Sequence, residues 1–181
     1  MEVALLPIEE MGREILEAIR EGLEGEIPGA RCHILPMRGR APSKAYNPRR
    51  RQYRSDRFLE QLRALKKGIG VNRLLGVTLL DIYAPGLNFV FGEADPKWGV
   101  AILSTHRLRP EFYGLKENLG LYLERCVKEA IHELGHILRL RHCPDPRCVM
   151  HFSNSVWEVD EKRRGFCPRC LNLLRYYEEI R

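Results

Sequence analysis

No stretch of the 181-residue chain approaches the ~20 consecutive apolar residues needed to cross a bilayer, so no membrane-spanning helix is expected. A basic n-region is missing too. The opening MEVALLPIEEMGRE turns acidic within a few positions, which excludes a secretory signal and leads us to expect a cytoplasmic protein. There is no internal repeat and, beyond one basic block, no low-complexity run. With 44% hydrophobic and 30% charged residues, collagen, a long coiled coil and a wholly disordered chain are excluded. What remains is one domain large enough to bury a core.

The formal net charge is +6, but it is local. Between Pro36 and Arg57 stand Arg38, Arg40, Lys44, Arg49, Arg50, Arg51, Arg54 and Arg57 against a single acid, Asp56. The rest of the chain is close to neutral. A solvated, mobile loop is the plain expectation for such a block, with an anion or nucleic-acid patch as its rival.

Hydrophobic spacing predicts a strand over 2–7, a helix over 8–23, a strand over 30–35 and a helix over 56–67. Strands follow over 74–83, 88–92 and 99–104, then a long helix over 116–138 and a short one over 171–180. Strand and helix alternate, which implies right-handed crossovers and a largely parallel sheet. The segment Asn88, Phe89, Val90, Phe91, Gly92 follows its predecessor too closely for a crossover and reads as an antiparallel hairpin strand at the sheet edge.

The strongest chemical signal is Ile131-His132-Glu133-Leu134-Gly135-His136, an HExxH sequence inside the long helix. Positions i and i+4 share a helix face, so His132 and His136 can offer ring nitrogens to one ion. Glu133 is then placed to deprotonate a water held there. His142 lies six residues beyond His136 and reaches the same ion only if the helix ends near Leu138 to Leu140. Glycine would make that turn without steric penalty. Arg139 stands there instead, and a left-handed non-glycine residue costs roughly 1–2 kcal/mol. If the turn fails, the third ligand falls to His151, Asp145, Glu158 or Glu161.

The six cysteines divide unevenly. Cys32 and Cys126 stand apart, while Cys143, Cys148, Cys167 and Cys170 form two pairs with four-thiolate zinc spacing. Such an ion has a closed coordination shell and is structural.

Taken together, His132-Glu133-x-x-His136-x-x-Arg139-x-x-His142-Cys143, with Met150 soon after, resembles the metzincin zinc-peptidase signature. The cysteine after the third histidine, the CxxxxCxM run and the later CxxC resemble the archaemetzincin family. The stretches 88–94 and 107–110 are similar to it as well. The resemblance implies an α/β (α+β) fold: a twisted mixed sheet, mostly parallel with an antiparallel edge strand, a backing helix, an active-site helix and a C-terminal zinc-knotted segment. It implies a single metallopeptidase domain over 1–181, with an N-terminal subdomain to about 139 and a zinc-stabilised one from about 140.

Two Zn²⁺ are implied: a catalytic ion on His132, His136 and His142, and a structural ion on Cys143, Cys148, Cys167 and Cys170. Glu133 is the implied general base and Met150 the methionine turn. The expected activity is hydrolysis of peptide bonds by a zinc-held water, with a lean toward aminopeptidase-like action on short peptides. The peptide is expected to add to the 88–92 edge, on a monomer without membrane association. The competing expectation is a non-catalytic zinc protein: a degenerate peptidase, or a nucleic-acid module using the 36–57 segment. Nucleic acid is the less favoured partner.

Overall fold

The computed structural model describes residues 1–179. Five strands, Glu2–Ile8 (β1), Arg31–Ile34 (β2), Leu74–Thr78 (β5), Gly92–Asp95 (β7) and Val100–Ser104 (β8), form a sheet in the order β2-β1-β5-β8-β7. Every pair is parallel except β7 with β8. Helices Arg13–Glu26 (α1) and Leu119–Ile137 (α3) cover one face and Ser55–Ile69 (α2) the other. The strands alternate accordingly. Val3 and Leu5 join the α1/α3 core, whereas Ala4, Leu6 and Ile8 join the α2 core. Burial on both faces is why β1, β5 and β8 read as continuous apolar runs.

The backing helix α1 meets α3 at very short range. A Cβ on Gly22 would lie 2.3 Å from Val127 Cγ1, so only glycine permits this approach. α1 begins later than its apolar stripe predicts. Ile8 stays in β1, paired with Thr78, and Glu9 turns the chain with a φ of 63°. α3 starts at Leu119 because the Asn118 side chain accepts a hydrogen bond from the Leu121 N–H at 3.0 Å and caps the helix.

Three expectations need correction. The strand expected over 74–83 splits, because the chain leaves the main sheet after Thr78. Ile82–Tyr83 (β6) then joins a second sheet with Tyr46–Asn47 (β3) and Gln52–Arg54 (β4), in the order β3-β4-β6. The basic segment is therefore not a free loop: it supplies two of those strands and the start of α2. The edge strand is Gly92–Asp95, not Asn88 to Gly92. It pairs with the strand that follows, across a turn in which Trp98 and Gly99 N–H groups bond Asp95 O and Gly99 takes a φ of +63°.

The last third packs into the same core, through Val149, Met150, Val156, Phe166 and Leu174. It carries Val156–Glu161 (α4), which apolar spacing did not reveal, started by a capping box of Ser155 and Glu158. The final helix, Pro168–Glu179 (α5), begins earlier than expected, and Ile180 of the predicted span lies outside the described residues.

Candidate metal centres and cleft

The exposed edge of β7, the 84–91 segment, α3 and the 152–154 loop enclose a cleft of about 530 Å³. His132, Glu133, His136 and His142 line it. The Nε2 atoms of His132 and His136 are 3.1 Å apart, and those of His136 and His142 are 3.2 Å apart. A tetrahedral ion with Zn–N distances of 2.0–2.1 Å sets its nitrogens about 3.3 Å apart, so the three rings fit such an ion.

The other ring nitrogens explain the convergence. His132 Nδ1 donates to Val149 O at 2.8 Å and His136 Nδ1 to Leu140 O at 2.9 Å. A carbonyl only accepts, so each ring carries its proton on Nδ1 and turns the Nε2 lone pair inward. Burial is the leading cause that lowers the pKa of all three histidines, His132 most, which favours the neutral form a metal requires. Of the alternative third ligands, His151 donates Nδ1 to Cys143 O, Asp145 accepts from Arg147 N and Glu158 serves the α4 cap. None joins the cluster, nor does Glu161.

Arg139 performs the turn that brings His142 back. Its φ is 72°, its N–H bonds His136 O at 2.9 Å, and the Leu140 N–H bonds Gly135 O at 3.0 Å. That pair of bonds is a Schellman ending with arginine where glycine is usual. Met150 lies directly beneath the helix: a Cβ on Gly135 would stand 2.3 Å from its Sδ. Across the cleft, a Cβ on Gly92 would fall 2.5 Å from the Glu133 carboxyl, so glycine at the edge strand makes room for that group. Glu133 Oε2 is buried with no hydrogen-bond partner. Burial first, then the neighbouring Glu129, raises its pKa well above the usual carboxylate range.

In the second cluster, Cys143 and Cys167 Sγ atoms are 3.7 Å apart, as are those of Cys148 and Cys170. Disulfide sulfurs lie near 2.05 Å, whereas a Zn–S distance of 2.3 Å sets tetrahedral sulfurs about 3.8 Å apart. All four fall within 4.8 Å of one another and fit an ion. Cys32 and Cys126 are buried elsewhere, their thiols held protonated by burial.

The sequence profile of Peptidase family M54 matches residues 9–176. The chain belongs to that family. It is 41% identical over 181 residues to archaemetzincin from Pyrococcus furiosus, covering 95% of this chain and 91% of that one. The crystal structure of archaemetzincin from Methanopyrus kandleri superposes with a TM-score of 0.83 at 38% identity, covering 99% and 96% of the two chains. That from Archaeoglobus fulgidus, complexed with malonate, gives 0.80 at 40%, covering 96% and 99%. As a member of family M54 the chain is a zinc metallopeptidase that acts on peptides.

Several residues that support the cleft belong to no sequence motif. Arg50, from the basic segment, donates Nη2 to Leu87 O at 2.8 Å and Asn88 O at 2.7 Å, with its guanidinium 4.0 Å above the Tyr83 ring. Gln52 Nε2 also donates to Asn88 O, at 3.0 Å. Together they pin the wall formed by Asn88, Phe89 and Val90. Deeper in the core, buried Arg125 holds Asp160 through two 2.7 Å bonds and ties α3 to α4. Lys162 holds Glu129 at 2.6 Å on the cleft side of α3. Glu129 shares the helix face of Glu133 at i−4, a signal legible in sequence but hidden among apolar neighbours.

Proposed function

We propose that the chain hydrolyses peptide bonds with Glu133 as general base, and that it holds two zinc ions. His132, His136 and His142 would hold the catalytic ion; Cys143, Cys148, Cys167 and Cys170 would hold the structural one. Bound in the histidine cluster, zinc acidifies water and polarises a carbonyl. Glu133 takes the proton of the attacking water and returns it to the leaving amine. The free edge of β7 accepts an extended peptide by strand addition, which carries the scissile carbonyl over the histidines. The pinned wall from Asn88 to Phe91 stands beside the peptide, with Phe91 in the core and Phe89 at the cleft.

One observation carries this reading: three inward Nε2 atoms and an unpartnered, buried Glu133 oxygen share one cleft under an edge strand. Digestion of a peptide library by the wild-type protein and by Glu133→Ala tests it. Zinc-dependent cleavage confined to wild type is expected, and equal cleavage by both proteins would overturn the mechanism. Mass spectrometry of the products separates removal of N-terminal residues, which the family resemblance implies, from internal cleavage.

A further inference from the structure

Most of the cleft wall is apolar, with Leu87, Phe89, Val90 and Phe152, and three carboxylates line it, Glu93, Glu129 and Glu133. Glu129 lies there, on α3 one turn before Glu133. Its Oε1 accepts a 2.6 Å hydrogen bond from Lys162 Nζ, which also donates to His151 O at 3.3 Å. Among the described residues Oε2 has no hydrogen-bond partner. The Lys162 side chain is 0% exposed and that of Glu129 is 4% exposed, so the accessible part of the pair is carboxylate. Ser153, two residues past the carbonyl that Lys162 binds, also lines the cleft, and its Oγ is buried without a partner. Beside the accessible Glu129 Oε2, the buried Ser153 Oγ lacks a partner, as does Glu93 Oε2 in the same cleft, and buried polar groups are costly to leave unpaired.

Direction along the helix says which part of a substrate they meet. Glu133 passes its proton to the leaving amine, so the leaving side of the peptide lies over Glu133. Glu129 continues the same face about 6 Å farther from the histidines, at 1.5 Å rise per residue. The side chain that reaches it belongs to the residue contributing the leaving nitrogen.

We infer that Glu129, with Ser153, selects a lysine or arginine side chain in the residue immediately after the scissile bond. This rests on the peptidase reading and deepens it. An extended lysine passes its methylenes along the apolar wall and delivers its ammonium to Oε2. Lys162 does not compete for the ligand. It holds Oε1 from behind and fixes the direction in which Oε2 points. The selection applies equally to an internal bond and to the first bond of a peptide, since it reads only the residue on the leaving side.

The test uses peptides identical except for lysine, norleucine or glutamate at that position. Wild type should cleave the lysine peptide with kcat/KM about tenfold above the norleucine peptide, and Glu129→Gln should bring that ratio to about one, since a ratio taken within one protein cancels any change at Glu133. Equal ratios in the two proteins would overturn the inference. If Glu129→Gln folds poorly, Ser153→Lys places a cation at the same end. It should reverse the preference toward glutamate, and an unchanged preference would count against the inference. Fluorescence anisotropy of the same peptides on Glu133→Ala protein gives a readout independent of turnover. Tighter binding of the lysine peptide, lost on adding Glu129→Gln, supports the inference; equal binding of all three overturns it. Absence of cleavage in wild type together with that binding preference would overturn the peptidase reading alone.

Discussion

Glu133 meets the rest of the site through space rather than through bonds. One carboxylate oxygen is buried and unpartnered, and the Cβ-free backbone of Gly92 makes room for it. Glu133→Gln keeps the shape and removes the proposed base. It should lower kcat/KM by about 10²–10⁴-fold while zinc content stays unchanged; a parallel loss of metal would show a structural role instead. The same residue shapes the pH response of chelator-treated protein. The three histidines have depressed folded pKa values, so their contribution is present above the unfolded value of about 6.5 and is lost as pH falls through the folded values. Glu133 has a raised folded pKa, so its contribution is present below about 4.5 and is lost as pH rises through the folded value. The two oppose each other near neutrality. Chelated Glu133→Gln should therefore show a steeper rise of Tm between about pH 5 and 7 than chelated wild type, and superimposable profiles would refute the assignment. At Arg139 the left-handed backbone costs roughly 1–2 kcal/mol, partly offset by the lower entropy of a non-glycine unfolded chain. Arg139→Gly should gain about 0.5–1 kcal/mol, seen as a Tm increase of about 1–4 °C.

At the scale of elements, the site depends on how closely α3 is approached from two sides. Beneath it, Met150 occupies the space a Cβ on Gly135 would need, with Phe166 3.3 Å from that position. Gly135→Ala should cost about 1–3 kcal/mol by overpacking and weaken metal retention at the histidines, measured by thermal melts and zinc analysis. Above the cleft, Arg50 and Gln52 hold its 87–90 wall. Arg50→Ala frees the Leu87 carbonyl and leaves Asn88 O held by Gln52 alone. KM should rise about tenfold with kcat within about threefold, and a fall in kcat at constant KM would be contrary to a positioning role. Within the arginine-rich block, Arg50 supports the cleft wall from the turn between β3 and β4. The block's net charge does not reveal that role.

At the scale of the whole molecule, the cysteine cluster joins the end of the active-site helix to α5. Cys143 follows His142 directly and donates its N–H to Met150 O at 2.9 Å, so an ion held by the four cysteines would fix the positions of both His142 and Met150. Metal binding to thiolates is then also folding free energy. Dialysed protein should retain two zinc per chain, and a His132→Ala, His136→Ala double variant should retain one. Cys167→Ser with Cys170→Ser should lower Tm and empty both sites, because His142 loses its anchor.

Both clusters that could hold a metal were legible in the sequence because their members lie close along the chain, where helix periodicity and turn length alone decide which atoms meet. His132 and His136 needed only 3.6 residues per turn, and the Cys-Pro-x-Cys knuckle needed only a tight turn. The parallel sheet followed from alternating apolar runs. The edge strand did not: Asn88 to Phe91 has the right texture, but the pairing partner of β7 lies beyond a turn formed by Asp95 and Gly99. Arg50 reaches carbonyls 37 and 38 positions away, and Lys162 reaches Glu129 across 33. Contacts at such separations leave no periodic trace. The sequence by itself determined which histidines and cysteines could come together around a metal, with Glu133 beside the histidines. Tertiary structure alone decided which wall lines the cleft and which carboxylate Lys162 holds there, because a buried pair acquires its partner only when distant segments pack together.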